Sequence, residues 1–432
     1  MKLDHNHGKS EAELKDFGKE MLNHFPGSSH SVFLINLAVI IMVILFNENL
    51  HAQKTSNEME LYGFLMTDAG YNFNTINPDW YDVMRVTQLP SYKNEFAPDG
   101  KMFFSMRQTR FGVKSNFNTA LGKLKTQFDF DFFGVGADKG QTTFHLVNAY
   151  GQLGRFGAGQ TATAFMDFGV FPQTLDYWGP TTRAFYLNIQ LFYIPIEEKN
   201  QYMKVALERP GGSAAGPDES IERIDISGVK PYYNLPNLTA QYRFGGDWGY
   251  VTVAGVLKSL KWREISDSAA FKLNGSAVGW GTNLSAVINT GKNVKLKFQG
   301  VIGQGMENYL ADVSPDVGLE SNSADINTPY IGKAIPIHGF FAFAEILWNS
   351  KMKSSLGYSY EKISNTNLQP ANAYRQGQYA LVNLLYTPME NFMTGVEYQF
   401  GRRDNFSDGF HSIGNKLQIS FKYFYSQKIN LN

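Results

Sequence analysis

The chain has no cysteine, which excludes disulfides, thiolate nucleophiles and Cys-ligated metal sites. Charge is scarce: Asp, Glu, Lys and Arg make up 18% of its 432 residues, and basic and acidic groups balance at 39 each. That balance leaves no footprint for nucleic acid. There is no nucleophile elbow, phosphate loop or zinc motif, and after residue 53 no helical periodicity of any length. Nor is there an apolar run long enough to cross a bilayer as a helix. The longest, VFLINLAVIIMVILF at residues 32–46, has about fifteen residues against the roughly 20 required.

That run has the length of a signal-peptide h-region, with a short membrane anchor or a buried helix as the alternatives. NENLHAQ follows it, so residues 1–52 are expected to be a leader cut after Ala52, leaving 53–432 as one mature domain. Translation from Met21 would give a more ordinary signal peptide than translation from Met1.

What the chain has in quantity is aromatic residues and glycine, with 34 Phe, 23 Tyr and 41 Gly. These residues suit strands and turns. LKTQFDFDFFG (124–134) sets Leu124, Phe128, Phe130 and Phe132 on one parity and Lys125, Gln127, Asp129 and Asp131 on the other. A strand turns such residues to opposite faces. The same alternation recurs in NVKLKFQGVIG, SSLGYSYEK, NFMTGVEYQFG and KLQISFKYFYS, and it predicts sixteen strands, the first near 59–70 and the last near 414–426. Short turns such as NTAL, NTGKN and PMEN alternate with long segments at 167–183, 305–335 and 403–413.

Short turns at one end, long loops at the other and apolar faces ending in Tyr423, Tyr425, Trp348 and Tyr386 predict an all-β, 16-stranded antiparallel transmembrane barrel of the outer-membrane type. A soluble β-sandwich pair or propeller would bury the apolar face instead, and no blade-like period is present.

Longer blocks carry a family resemblance. YGFLMTDAGYNFNTINPDWYDVMR (62–85), GQTATAFMDFGVFPQTLDYWGP (159–180), GQGMENYLADVSPD (303–316) and ALVNLLYTPMENFMTGVEYQFGRRDN (380–405) resemble the DcaP-like family of outer-membrane porins. The resemblance implies a homotrimer of sixteen-stranded barrels in the outer membrane of a Gram-negative-type bacterium, in contact with outer-membrane lipid. It also implies passive diffusion of small hydrophilic, anionic solutes such as dicarboxylates, and that a long loop at 167–183, with Asp167, Asp176 and Trp178, folds inward to narrow the channel.

In a barrel the face of Asp129 and Asp131 is the lumen, so the pair reads as wall charges rather than a catalytic acid and base. On this reading the two acids line water together with Lys123 and Lys125, and Asp131→Asn changes only the current. Basic groups on lumen positions bear more on selectivity, because a ring of cations lowers the energy of an entering anion. The candidates are Arg107, Arg110, Lys114, Lys123, Lys125, Arg155, Arg183, Lys295 and Lys297. Arg107 and Arg110 fall on opposite parities, so the alternation predicts a bulge between them. Asp312, Asp316, Glu320 and Asp325 lack calcium-loop spacing, and His145, His338 and His411 are scattered. No metal, other cofactor or enzymatic activity is expected. The alternatives are an outer-membrane barrel with an enzymatic or glycan-binding role and a secreted soluble β-protein.

Overall fold

The computed structural model describes residues 57–211, 223–265, 273–311, 313 and 315–431. The expected leader, with its h-region and the cut after Ala52, lies outside these residues.

Alternation has produced one closed antiparallel barrel. Strands β1 (Asn57–Asn72), β2 (Lys101–Ser105 and Arg110–Thr119), β3 (Gly122–Phe133) and β4 (Thr142–Leu153) begin it. Next come β5 (Phe156–Ala162), β6 (Leu187–Glu197), β7 (Gln201–Glu208) and β8 (Asn237–Gly246). Then follow β9 (Gly249–Glu264), β10 (Gly275–Asn289), β11 (Val294–Gln304) and β12 (Pro336–Asn349). The circle is completed by β13 (Met352–Ile363), β14 (Tyr374–Met389), β15 (Phe392–Asn405) and β16 (His411–Leu431).

The main sheet contains eighteen hydrogen-bonded segments; both halves of β2 pair with β1, and the short Val229–Pro231 pairs only with the end of β9, so sixteen strands cross. β1 closes on β16 from Asn57↔Leu431 to Asn72↔Lys416. A closed sheet leaves no edge with unpaired backbone groups, as hydrocarbon requires.

Seven connections at one end are short, as at 120–121, 154–155 and 350–351, while those at the other run to 73–100, 163–186, 209–236 and 305–335. The outer face is apolar and exposed, as at Phe128, Val253, Phe298, Val382 and Phe421, with Trp248, Trp348, Tyr386 and Tyr423 ringing the short-turn end. On the inner face Asp129 is 1% exposed and Asp131 0%. The phenylalanines of LKTQFDFDFFG therefore face lipid and its acids face inward, but these two acids are sealed and do not line water.

The expected bulge is present. β1 pairs Asp68 with Ser105 but Phe64 with Arg110, so the ladder shifts by one residue across 106–109. Both arginines then point inward.

The lumen holds an apolar core, which simple alternation does not predict. Phe165, Tyr186, Met306, Tyr309, Ile335 and Ile337 pack in one cluster, and Met84, Val86, Leu89, Phe341, Phe343 and Tyr379 in another. The sequence does carry a sign of this. FFAFAEIL (340–347) and YALVNLLY (379–386) are apolar on both parities, as a strand is when its inner face also packs against protein.

Candidate functional site

The site is the lumen wall and the loops folded against it. The segment after β5 (163–186) is an inward loop, anchored residue by residue to polar side chains of the wall. Asp167 accepts hydrogen bonds from Arg243 (2.8 Å), Tyr250 (3.1 Å) and Ser285 (2.8 Å). Gln173 N donates to Glu345 at 2.9 Å, and the backbone amides of Leu175 and Asp176 donate to the Glu397 carboxylate at 2.7 and 3.0 Å. Thr182 N donates to Glu361 at 2.9 Å, and a Cβ placed on Gly339 would lie 2.5 Å from the Thr182 hydroxyl. Glycine at 339 is what lets the loop seat against β12.

Asp176 and Tyr177 together fasten the tip. Asp176 forms a fully buried ion pair with Lys416 on β16 and accepts from Met84 N at 2.9 Å. Burial raises its carboxyl pKa, but Lys416 and the amides of Met84 and Gly179 outweigh that and hold it below the usual range. Tyr177 donates to Asp131 at 2.9 Å and stacks on Phe133 with ring centroids 3.9 Å apart. Trp178 meets Trp80 edge to face at 5.1 Å, and the Arg85 guanidinium lies 4.0 Å from the centroid of Trp178.

Two further loops enter, which sequence reasoning did not place inside. From 73–100, Asp82 accepts from Arg107 Nε at 2.9 Å, and Lys416 Nζ donates to the Asp82 carbonyl at 2.7 Å. From 305–335, Asp316 bridges Arg223 and Lys258, each at 2.6 Å. Glu307 beside them is fully buried, and its carboxyl oxygens have no hydrogen-bond partner among the described residues. Burial pushes its carboxyl well above the usual range, and the ionised Asp316 adds to that. The acids of 308–325 thus serve separate contacts: Asp316 in this network, Glu320 with Lys333, and Asp325 turned onto Asn327 and Thr328. Asp312 lies outside the described residues.

The candidate residues now divide. Arg107 is 0% exposed and spent on Asp82, so it braces a loop and meets no solute. Asp129 accepts from Tyr62 (2.7 Å), Gln127 (2.7 Å) and Asn148 (3.0 Å). Asp131 accepts from Arg110 at 2.9 Å and lies 3.0 Å from His145 Nδ1. The expected ladder of these acids with Lys123 and Lys125 does not form, because cross-strand neighbours satisfy each carboxylate first. Lys125 pairs instead with Glu197 (3.0 Å), Lys114 with Glu60 (3.2 Å) and Lys297 with Glu345 (2.8 Å). Lys123 and Lys295 stand exposed near the short turns. Arg155 is in the turn 154–155, at an exposed tip rather than on the wall. Arg183 is buried, its guanidinium 4.7 Å from the ring centroid of Phe185.

Sequence reasoning missed Lys416, Arg243, Lys204 and Lys258. Lys416 continues the polar face of Gln418 and Ser420, and Arg243 that of Thr239 and Gln241, whereas Lys258 sits between inward Val256 and Leu260, where no polar period marks it.

Solvent reaches more basic than acidic groups on the wall, although Glu197 and Glu60, the partners of Lys125 and Lys114, keep 54 and 15% of their side-chain area exposed, and Arg107, Lys258 and Lys416 are as buried as the acids. Lys114, Lys125, Arg243 and Arg110 keep 46, 35, 34 and 29% of their side-chain area exposed. Asp129, Asp131, Asp167, Asp176, Glu208, Glu361 and Glu397 are all buried.

The family model of the DcaP outer membrane protein matches residues 47–423. The crystal structure of the outer membrane channel DcaP of Acinetobacter baumannii aligns with a TM-score of 0.71 at 20% identity, over 87% of this chain and 99% of that one. An anion-selective porin from Comamonas acidovorans aligns with a TM-score of 0.53 at 9% identity, over 85% and 100%. OmpF of Salmonella typhi in complex with daunomycin gives 0.54 at 11%, over 86% and 98%. No curated protein matches the chain by sequence.

Proposed function

The chain belongs to the DcaP outer membrane protein family and is an outer-membrane channel of the bacterial envelope, and from that premise we propose passive diffusion of small hydrophilic anions, dicarboxylate-like solutes among them. The observation that carries the proposal is the excess of open basic over open acidic side chains on the lumen wall. Mid-wall carboxylates are buried under hydrogen bonds, while Lys114, Lys125, Arg110 and Arg243 remain accessible. An anion in the lumen therefore meets more cationic than anionic surface, which lowers its barrier relative to a cation of the same size.

The loop at 163–186 is the constriction in this reading, with Asp167, Asp176 and Trp178 as its fasteners. The long-loop end faces the exterior and the short turns the periplasm, the arrangement usual for such barrels. Assembly as a homotrimer is part of the proposal, supported by family membership and by a trimeric neighbour, OmpT of Vibrio cholerae, which aligns with a TM-score of 0.52 at 12% identity over 86% and 100%. We assign no catalytic role. Bilayer recordings across a KCl gradient test the selectivity: a reversal potential of the anionic sign is expected, and one of the cationic sign refutes it. Current block by succinate tests the dicarboxylate preference, and its absence leaves a general pore.

A further inference from the structure

Between the inward loop and the wall of β4 to β8 lies a recess of about 300 Å³, at the small end of ligand sites. Lys204 on β7 stands in it, only 6% exposed. Its ammonium donates to the Ala162 carbonyl at 2.8 Å and lies 4.8 Å from the ring centroid of Phe192, and among the described residues no carboxylate pairs with it. The other buried wall lysines differ: Lys258 and Lys416 each hold an aspartate and Lys297 a glutamate. Beside Lys204 in register on β8 is Gln241, whose Oε1 is buried without a partner among the described residues. A half-turn of its amide would present a donor at the same place.

The remaining walls are aromatic. Phe192, Tyr150 and Tyr202 line the recess, and Phe192 and Tyr150 meet edge to face at 6.0 Å. Phe192 lies flat across Gly157, where a Cβ would sit 2.0 Å from the ring, so the apolar floor depends on a glycine in β5. Arg243 at the rim keeps one third of its surface despite its bond to Asp167.

We infer that this recess is a solute subsite for monocarboxylates with an aromatic or other apolar body, the carboxylate on Lys204 and Gln241 and the body against Phe192, Tyr150 and Tyr202. The inference rests on the anion-channel reading and concerns this recess alone, where it favours monocarboxylates over the dicarboxylates proposed for the pore. A compact dicarboxylate would satisfy Lys204 with one end and leave the other against rings, where a charge is costly. A phenyl ring loses water there instead, which favours it.

The test is current block of the full-length channel in planar bilayers by phenylacetate, acetate and succinate. Phenylacetate is expected to bind about tenfold more tightly than either of the others, from the apolar area its ring buries. Lys204→Met should abolish phenylacetate block and Lys204→Arg should retain most of it. Should Lys204→Met fold poorly, Gly157→Ala reports on the same site by displacing Phe192, and it should weaken phenylacetate more than acetate. Equal affinities for the three anions in a channel whose reversal potential still favours anions overturn the subsite and leave the porin reading standing. Phenylacetate block that survives both Lys204→Met and Gly157→Ala also overturns it. A cationic reversal potential overturns both.

Discussion

On the wall from β13 to β16 the inward residues Glu361, Glu397, Gln399, Lys416 and Gln418 are fully buried, whereas on β1 to β4 Glu60, Tyr62, Lys114 and Lys125 stay partly open. Both stretches obey the same alternation. The difference comes from the loop at 163–186, whose backbone amides at Leu175, Asp176 and Thr182 use the carboxylates of the first stretch. A lumen charge covered by a loop becomes a structural fastener, and one left bare acts on whatever passes. Inward parity alone identifies both and separates neither.

The comparison breaks most severely at Asp176. Asp176→Ala leaves Lys416 buried and unpaired, at a cost of about 3–5 kcal/mol, and frees the loop tip. The denaturation midpoint in detergent should fall and single-channel conductance rise; unchanged conductance would mean the loop does not set the constriction. On the opposite face of the wall, Phe130→Lys places an ammonium in lipid at about 2–4 kcal/mol. The folded, heat-modifiable band on a detergent gel should be lost, and its persistence would mean that the faces are reversed.

Asp131→Asn is expected to cost about 1.5–3 kcal/mol through the bond to Arg110. It therefore lowers stability as well as altering the current, because the carboxylate also receives Tyr177 of the loop. A variant as stable as the parent would restore the picture of a hydrated wall acid.

Acidity sharpens the contrast between two loops. The lowered value at Asp176 means its contribution is complete above the ordinary carboxylate pKa of about 4 and is lost only as pH falls through the lower native value. Glu307 is raised, so its part of the fold is most stable below that ordinary value and loses stability as pH climbs toward the native one. Between pH 8 and pH 5, rate-corrected hydrogen exchange should show the amides near 305–311 gaining protection while those of Trp178 and Gly179, which donate to Asp176, do not change. The reverse pattern would contradict the assignment. The smallest structural effect belongs to Lys114→Gln with Lys125→Gln, two exposed pairs worth less than about 1 kcal/mol each. Stability should hold while the reversal potential moves toward zero, and a fixed potential would remove these lysines from the selectivity argument.

Much of this architecture was legible in the sequence. The strands read near 59–70 and 414–426 lie as Asn57–Asn72 and His411–Leu431, because a lipid-facing strand must alternate throughout its span. The bulge was legible too, since Arg107 and Arg110 cannot both face inward without one. The partners were not: nothing near Arg107 in sequence announces Asp82, and nothing near Lys416 announces Asp176. Those pairs join a loop to strands remote in the chain, where no local period reports on contact.

The seam between β1 and β16 has a bearing on how the molecule forms. Its sixteen register pairs join the two ends of the described chain, from Asn57↔Leu431 to Asn72↔Lys416, so closure carries nearly the largest loop entropy the chain can incur. Every hairpin from β1–β2 to β15–β16 can zip with a sequence neighbour, but the second edge of β1 must wait for the last strand. Until then both edges stand open as templates for foreign strands, and Asp176 has no Lys416 to receive it. The constriction and the seam thus share a strand, β16, which carries Lys416 on its inner face and pairs with β1 at its edge.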